Sequence, residues 1–98
     1  MTMQTDVRSA HRSTAGSYYA QRTRLRAFIV TPAVTTACTF EIRDGGASAE
    51  VLFTMDITSQ TVANSFYIIV PGEGILARNG LYLTLSSGSL TGLTVFYG

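Results

Sequence analysis

The chain has no lysine and no tryptophan, and it has one cysteine and one histidine among its 98 residues. The single cysteine, Cys38, excludes an internal disulfide and gives no indication of an oxidising compartment. The single histidine, His11, lies in a polar stretch, and the chain lacks a Gly-x-Ser-x-Gly turn that would present a serine nucleophile. We therefore expect no enzymatic activity, no catalytic residue and no cofactor.

Metal ligands are equally scarce. One histidine and one cysteine cannot complete a four-coordinate zinc site. Calcium would have to use Asp44, or Asp56 together with Glu73, and these residues lack the regular acidic spacing of a calcium-binding loop. The sequence does not bring any two carboxylates, Glu41 and Glu50 included, to the separation that glycoside hydrolysis needs. We expect no metal site and no small-molecule substrate.

Charged residues make up only 13% of the chain, against roughly 25% in an average soluble domain. Threonine and serine are abundant, and every basic residue is arginine, which loses less than lysine when it is buried in an interface. The chain shows neither the apolar core of a signal peptide nor an apolar run long enough to span a bilayer. The composition is typical of a cytosolically assembled protein whose surface is covered by other chains.

Charge is distributed unevenly along the chain. Residues 1–26 contain five arginines and one aspartate, whereas residues 27–98 contain two arginines and five carboxylates. This asymmetry predicts that the basic segment of one copy docks on the acidic face of another copy or of a larger scaffold, with a solvated basic arm as the alternative. Arginines interleaved with Tyr18 and Tyr19 also suit a nucleic-acid strand. However, a pI of 7.9 is too low for the usual basic footprint, so no nucleic-acid partner is expected.

Alternating apolar and polar residues predict two hairpins. The first joins a strand over residues 39–43, with Cys38, Phe40 and Ile42 on its apolar face, to a returning strand through Asp44-Gly45-Gly46. The returning strand has four apolar residues on one side: Val51, Phe53, Met55 and Ile57. The second hairpin turns at Asn79-Gly80 between residues 75–78 and a strand with Leu81, Leu83 and Leu85 on one face.

Further strands are predicted over residues 16–21, 24–31, 65–70 and 91–97, and no segment has a helical period. About seven or eight short strands with frequent turns indicate an all-β protein, namely a single antiparallel β-sandwich with a jelly-roll-like arrangement. Residues 1–15 are predicted to form an N-terminal arm and residues 16–98 the sandwich domain.

The strand over residues 24–31 has one unusual face. Simple alternation places Leu25, Ala27 and Ile29 on one side, and it places the remaining charged and apolar residues together on the other: Arg24, Arg26, Phe28 and Val30. A strand facing water rarely carries phenylalanine and valine beside two arginines. The mixed face is therefore predicted to meet another subunit, with an edge-of-core position as the alternative.

Five segments carry further turn and strand signatures: Thr5-Asp6-Val7-Arg8-Ser9, Arg22-Thr23-Arg24-Leu25-Arg26, Arg43-Asp44-Gly45-Gly46, Val70-Pro71-Gly72-Glu73-Gly74-Ile75 and Leu93-Thr94-Val95-Phe96-Tyr97-Gly98. Together they resemble a family of small virion-associated proteins of tailed bacteriophages, notably phages of marine bacteria and cyanobacteria. The resemblance implies a structural protein of the virion, assembled in the host cytoplasm. It implies a capsid decoration, or cement, protein that binds the major capsid protein or other virion proteins, or else an accessory of the neck or tail.

These observations predict a homo-oligomer, for which we expect a trimer, with no membrane partner. The predicted partner interface combines arginines that contact carboxylates with aromatic anchors: Arg8, Arg12, Tyr18, Tyr19, Arg24, Arg26 and Phe28. Three alternatives stay open: a ring or fibre-anchoring subunit of the tail, a carbohydrate-binding β-sandwich using Tyr18, Tyr67 or Tyr82, and, with the least support, a small hydrolase.

Overall fold

In the computed structural model, residues 7–62 and 64–98 are described, and they form strands, turns and loops without a helix. The nine strands are β1 (Arg8–Arg12), β2 (Gly16–Tyr19), β3 (Thr23–Pro32), β4 (Cys38–Asp44), β5 (Val51–Ile57), β6 (Phe66–Ile69), β7 (Ile75–Ala77), β8 (Leu81–Ser87) and β9 (Leu90–Tyr97).

The strands pair in two antiparallel sheets that pack face to face. Sheet I has the order β1-β9-β3-β6, with β7 beside β6 on the same edge of β3, and sheet II has the order β2-β8-β4-β5. Because β6 and β7 together occupy one edge position, the order is that of an eight-position jelly roll. The predicted all-β sandwich is therefore confirmed.

The N-terminal strand β1 is part of sheet I. It pairs with β9 over five residue pairs, from Arg8 opposite Tyr97 to Arg12 opposite Leu93. The prediction of an arm over residues 1–15 is therefore wrong for residues 8–12, while residues 1–6 lie outside the described residues. The strand was hard to recognise because it lies at an edge, and Ala10 is its one apolar residue packed against the core.

A β-bulge in β3 decides which side chains enter the core. The pairing with β9 shifts between Leu25 and Ala27, so the alternation changes phase at Arg26. Leu25, Phe28 and Val30 are all buried in the core cluster, whereas Ala27 pairs with the outward residue Phe96. The prediction that Phe28 and Val30 share an outer face with Arg24 is wrong for this reason.

The core joins the two sheets through three phenylalanines. The ring of Phe28 in sheet I lies 5.2 Å from Phe53 and 6.0 Å from Phe40, both in sheet II. Offset and edge-on contacts at these distances add to the gain from burying the rings. Other core residues confirm the predicted alternation of β4, β8 and β9: Cys38, Phe40, Ile42, Leu81, Leu83, Leu93 and Val95.

The two predicted hairpins have different outcomes. Strands β4 and β5 form the first one, although a second bulge places Val51 opposite Arg43 and leaves it 38% exposed. The prediction of the second hairpin is wrong, because β7 pairs with β3 in sheet I while β8 belongs to sheet II. Asn79-Gly80 thus crosses between the sheets, and the buried carboxylate of Asp44 accepts a hydrogen bond from the Asn79 backbone N–H at 2.7 Å.

Alanine substitutions at three glycines distinguish the cost of backbone strain from the cost of a steric clash. Gly46 has no positive φ, and a Cβ added there would meet open space. Gly72 has a φ of +70°, and its added Cβ would also meet open space. Gly88 has a φ of +71°, and its added Cβ would clash with the Ala37 carbonyl. We expect Gly46→Ala to leave the free energy of unfolding nearly unchanged. Gly72→Ala should lower it by about 1 kcal/mol and Gly88→Ala by about 3 kcal/mol. Urea denaturation measures the series, and equal losses at Gly72 and Gly88 would contradict the close approach to Ala37.

Candidate functional site

The outer face of sheet II is polar, and the two charged residues at its centre, Glu41 and Arg43, are paired within the chain. Arg43 forms an ion pair with Glu41 at 2.7 Å and donates to the Ala49 carbonyl at 2.8 Å. The Thr84 hydroxyl donates to the same Glu41 carboxylate at 3.2 Å. This network satisfies the side chains that project from the middle of the sheet, and it leaves little demand for a partner.

The outer face of sheet I is apolar at its centre. Two cross-strand rows carry it: Phe96, Ala27 and Ile69 lie side by side on β9, β3 and β6, and Ile29 lies beside Tyr67 in the next row. We call these five residues the apolar face. Tyr67 is 61% exposed and Ile69 is 66% exposed, which makes them two of the most exposed large apolar residues described. The Tyr67 and Phe96 rings meet edge to face, with centroids 6.4 Å apart, and Ala27 beneath them is buried.

Charge is segregated between the two sheets. The strands of sheet I contain four arginines and no carboxylate, namely Arg8, Arg12, Arg24 and Arg26. The strands of sheet II contain three carboxylates, Glu41, Asp44 and Asp56, and one arginine, Arg43. The asymmetry seen along the sequence therefore becomes an asymmetry across the sandwich, and the apolar face lies on the basic side.

Two of the predicted interface residues serve the fold itself. The Arg12 guanidinium donates to the carbonyls of Thr14 and Ala15, both at 3.1 Å, and so closes the β1–β2 turn. The Tyr18 hydroxyl donates to the Leu93 carbonyl at 2.8 Å, which ties sheet II to sheet I. These contacts replace the predicted contacts to a partner, because turn and edge carbonyls inside a small domain need donors.

The remaining predicted residues fall in three places. Arg24, opposite Leu76 on β7, and Arg26, at the bulge, are half-buried near one end of the apolar face. Arg8 and Tyr19 line a pocket at the end of the sandwich. Phe28 is 1% exposed and contacts only the core, so its predicted role as an interface anchor is wrong.

The sequence interpretation did not predict the apolar face as a partner interface, and it named only Tyr67 of its members as a possible binding residue, for a sugar. The signal for them was the unbroken apolar run from Phe66 to Ile69, in which both faces of the strand carry large apolar side chains. In an edge strand that has one face in the core and one face in water, apolar residues normally alternate with polar residues. Phe66 and Ile68 pack on the core, and Tyr67 and Ile69 project outward.

Reactive and metal-ligating groups are dispersed in the part of the chain that the structure describes. No group of three histidine, cysteine or acidic residues there is close enough to hold a metal ion. His11 shares a hydrogen bond of 2.9 Å with the Thr94 hydroxyl, and Asp56 accepts one of 2.8 Å from Thr39. Cys38 is buried in the core, and burial raises the pKa of its thiol.

Across residues 7–62 and 64–98, no helix has the length and apolar character needed to cross a bilayer.

No protein-family model, curated protein or solved structure matches the chain. Jelly rolls occur in viral capsid, lectin and cupin domains, so the topology alone does not select a function. A function for this chain therefore has to be argued from its surfaces, and the apolar face is the most distinctive of them.

The hydrogen bond from Tyr18 to Leu93 has a testable pH dependence. Burial raises the pKa of Tyr18 above its usual value, and the charge of Arg12 partly offsets this effect. Because the pKa of Tyr18 is higher in the folded state, its contribution to stability is complete below about pH 10. This contribution is lost as the pH rises further, since the tyrosine hydroxyl of the unfolded chain ionises first. We expect Tyr18→Phe to lower the free energy of unfolding by about 1 kcal/mol at neutral pH, as measured by urea denaturation. This loss of stability relative to the parent protein should shrink above about pH 10.

Tyr82→Phe is the matched control for this experiment. Tyr82 is half-buried on β8, and its hydroxyl makes no hydrogen bond to another described residue. This variant should match the parent protein at neutral pH. A Tyr18→Phe deficit that stays constant through the alkaline range would show that Tyr18 is not held in its neutral form by the fold.

Proposed function

We propose that this chain is a non-catalytic structural subunit that attaches to another protein through the apolar face of sheet I. We further propose that its setting is the particle of a tailed bacteriophage, where it decorates and stabilises the shell of major capsid protein. The observation that carries the attachment is the exposed pair Tyr67 and Ile69, set among other apolar residues on one sheet, while the opposite sheet has a polar, internally paired surface.

The energetics favour a protein partner at this face. Full burial of a side chain such as isoleucine contributes about 1.5–3 kcal/mol to the free energy of binding. Tyr67 and Ile69 together can therefore anchor a contact with another protein. Contiguous exposed apolar patches mark interaction sites, and aromatic residues with arginine dominate the energetics of interfaces. Arg24, half-buried on the same side, would supply the charged margin.

The charges of sheet I specify the chemistry of the partner surface. With four arginines, of which Arg12 is engaged within the chain, and no carboxylate in its strands, sheet I complements a surface that has an apolar centre and an acidic margin. Sheet II of a second copy is acidic, but Glu41 and Asp56 there already accept hydrogen bonds from Arg43 and Thr39. We therefore assign the apolar face to a different protein, the capsid subunit.

The viral setting rests on the sequence resemblance and is compatible with the jelly roll. A shell presents one binding site many times, so modest contacts add up when the bound copies are also linked to one another. We propose a trimer as that linked state. A ring or fibre-anchoring subunit of the neck or tail is the alternative location. Copy numbers on the order of hundreds per particle, measured by gel densitometry, would indicate the shell, and a single symmetric ring would indicate the tail.

A second candidate function is carbohydrate binding. Tyr67 favours it, because its exposed ring, supported edge-on by Phe96, is a possible stacking platform for a sugar. The other two tyrosines considered for this role are less suitable, since the Tyr18 hydroxyl is engaged with Leu93 and Tyr82 is half-buried. Binding to a glycan array that is abolished by Tyr67→Ser would support this candidate over the structural one.

The attachment is tested by replacing the two most exposed residues of the apolar face. We expect the double variant Tyr67→Ser/Ile69→Ser to remain folded, because both side chains lie outside the core. Its occupancy on purified particles that lack the native protein should fall by at least about tenfold, which corresponds to a loss of about 1.4 kcal/mol. Co-sedimentation with quantitative densitometry measures the occupancy.

Val51→Ser provides the control, since Val51 is an exposed apolar residue of similar character on sheet II. It should bind particles like the parent protein. Equal occupancy of the double variant and the control would exclude the apolar face as the attachment surface. If light scattering shows that the isolated chain self-associates and the double variant does not, the occupant of the face is a second copy, and docking of the shell there is overturned.

A further inference from the structure

A pocket of about 140 Å³ lies at one end of the sandwich, between the two sheets. Sheet II contributes Tyr19 to it, and sheet I contributes Arg8, Thr23 and Tyr97, together with the following residue Gly98. Arg22, in the connection that crosses from β2 to β3, completes the lining. The pocket shares no residue with the apolar face, although Arg8 is one of the sheet I arginines considered above.

The inner wall of the pocket carries hydroxyl groups that lack a protein partner. Thr23 is 7% exposed and Tyr97 is 8% exposed, and neither hydroxyl bonds to another described residue. The two hydroxyl oxygens themselves remain accessible, so they can exchange hydrogen bonds with water or with a ligand. The Tyr19 and Tyr97 rings, with centroids 4.9 Å apart, form a rigid aromatic side to this wall.

The outer margin of the pocket carries two arginines. Arg8 and Arg22 are both exposed, and neither has an ion pair or a hydrogen bond with another residue in the described ranges. An anion at this opening would be within the reach of two guanidinium groups. Their planar donor arrays match the two oxygens of a carboxylate or the oxygens of a phosphate.

We propose that this pocket binds an oxyanion, and that its natural occupant is the carboxylate of an acidic side chain on a partner protein. Arg8 and Arg22 donate to the carboxylate, and the hydroxyls of Thr23 and Tyr97 complete its hydrogen bonds. The volume suits this ligand, since it equals a few water molecules at about 30 Å³ each. A nucleic-acid strand is disfavoured, because it needs a basic groove that follows several phosphates rather than one small pocket.

The test is an NMR titration of the full chain labelled with ¹⁵N. The probe is N-acetyl-glutamic acid amide, which carries the side-chain carboxylate alone, and N-acetyl-glutamine amide is its neutral counterpart. We expect the acid to shift the amide signals of Thr23, Tyr97 and Gly98 in a saturable manner, and the neutral compound to leave them unchanged. Inorganic phosphate in a separate titration distinguishes the second source of oxyanion chemistry.

Two double variants with equal net charge provide the control. Arg8→Gln/Arg22→Gln removes both guanidinium groups of the pocket, while Arg24→Gln/Arg78→Gln removes two arginines that do not line it. The first should weaken binding of the acid by at least about tenfold, as expected for lost hydrogen bonds between charged groups, and the second by less than about twofold. The dispersion of the same spectra reports whether each variant is folded.

Three results would overturn the proposal. They are an absence of saturable shifts, equal weakening in both double variants, and tighter binding of phosphate than of the carboxylate. The variant Tyr67→Ser/Ile69→Ser should bind the acid like the parent chain. Failure at the pocket can therefore be distinguished from failure at the apolar face.

Discussion

The contact of Phe28 with Phe40 and Phe53 holds the two sheets together, and it depends on the bulge at Arg26. A strand with uninterrupted alternation that buried Leu25 would turn Phe28 outward. The extra residue changes the phase, so that Leu25, Phe28 and Val30 all enter the core. The same change turns Ile29 outward beside Tyr67 and thereby creates the apolar face. One irregular residue thus fixes both the interior of the sandwich and the surface assigned to partner binding.

Strict alternation made much of the fold predictable. In β4, β8 and β9 the apolar residues recur at every second position, and each of these strands is central in its sheet, with one face in the core. The failures have distinct causes. β1 lies at an edge and has few apolar residues, the bulge in β3 inserts one residue without a turn signal, and Asn79-Gly80 suits a hairpin as well as a crossing between sheets. Pairing partners far apart in the sequence decide such cases.

The candidate site was less predictable than the fold. Composition indicated that arginine and tyrosine would form contacts, but it did not distinguish contacts within the chain from contacts with a partner. Arg12 and Tyr18 bond to nearby turn carbonyls and to a carbonyl of the opposite sheet. Ile69 became recognisable as a surface residue, and Tyr67 as its neighbour on an apolar face, only when β6 was placed at the edge beside β3. The mixed charge and apolar character of residues 24–30 did signal an anomaly, and its physical origin is the bulge.

The opposite charges in the strands of the two sheets give the sandwich an electric dipole from one sheet to the other. Sheet I lies at the positive end, and a protein with such a dipole rotates in the field of an acidic surface before it touches that surface. Most encounters with an acidic partner surface would therefore begin with the apolar face already turned toward it. Screening by salt shortens the range of this alignment to about 8 Å at physiological ionic strength, so association should slow as salt is added even if the final complex is held by apolar contacts.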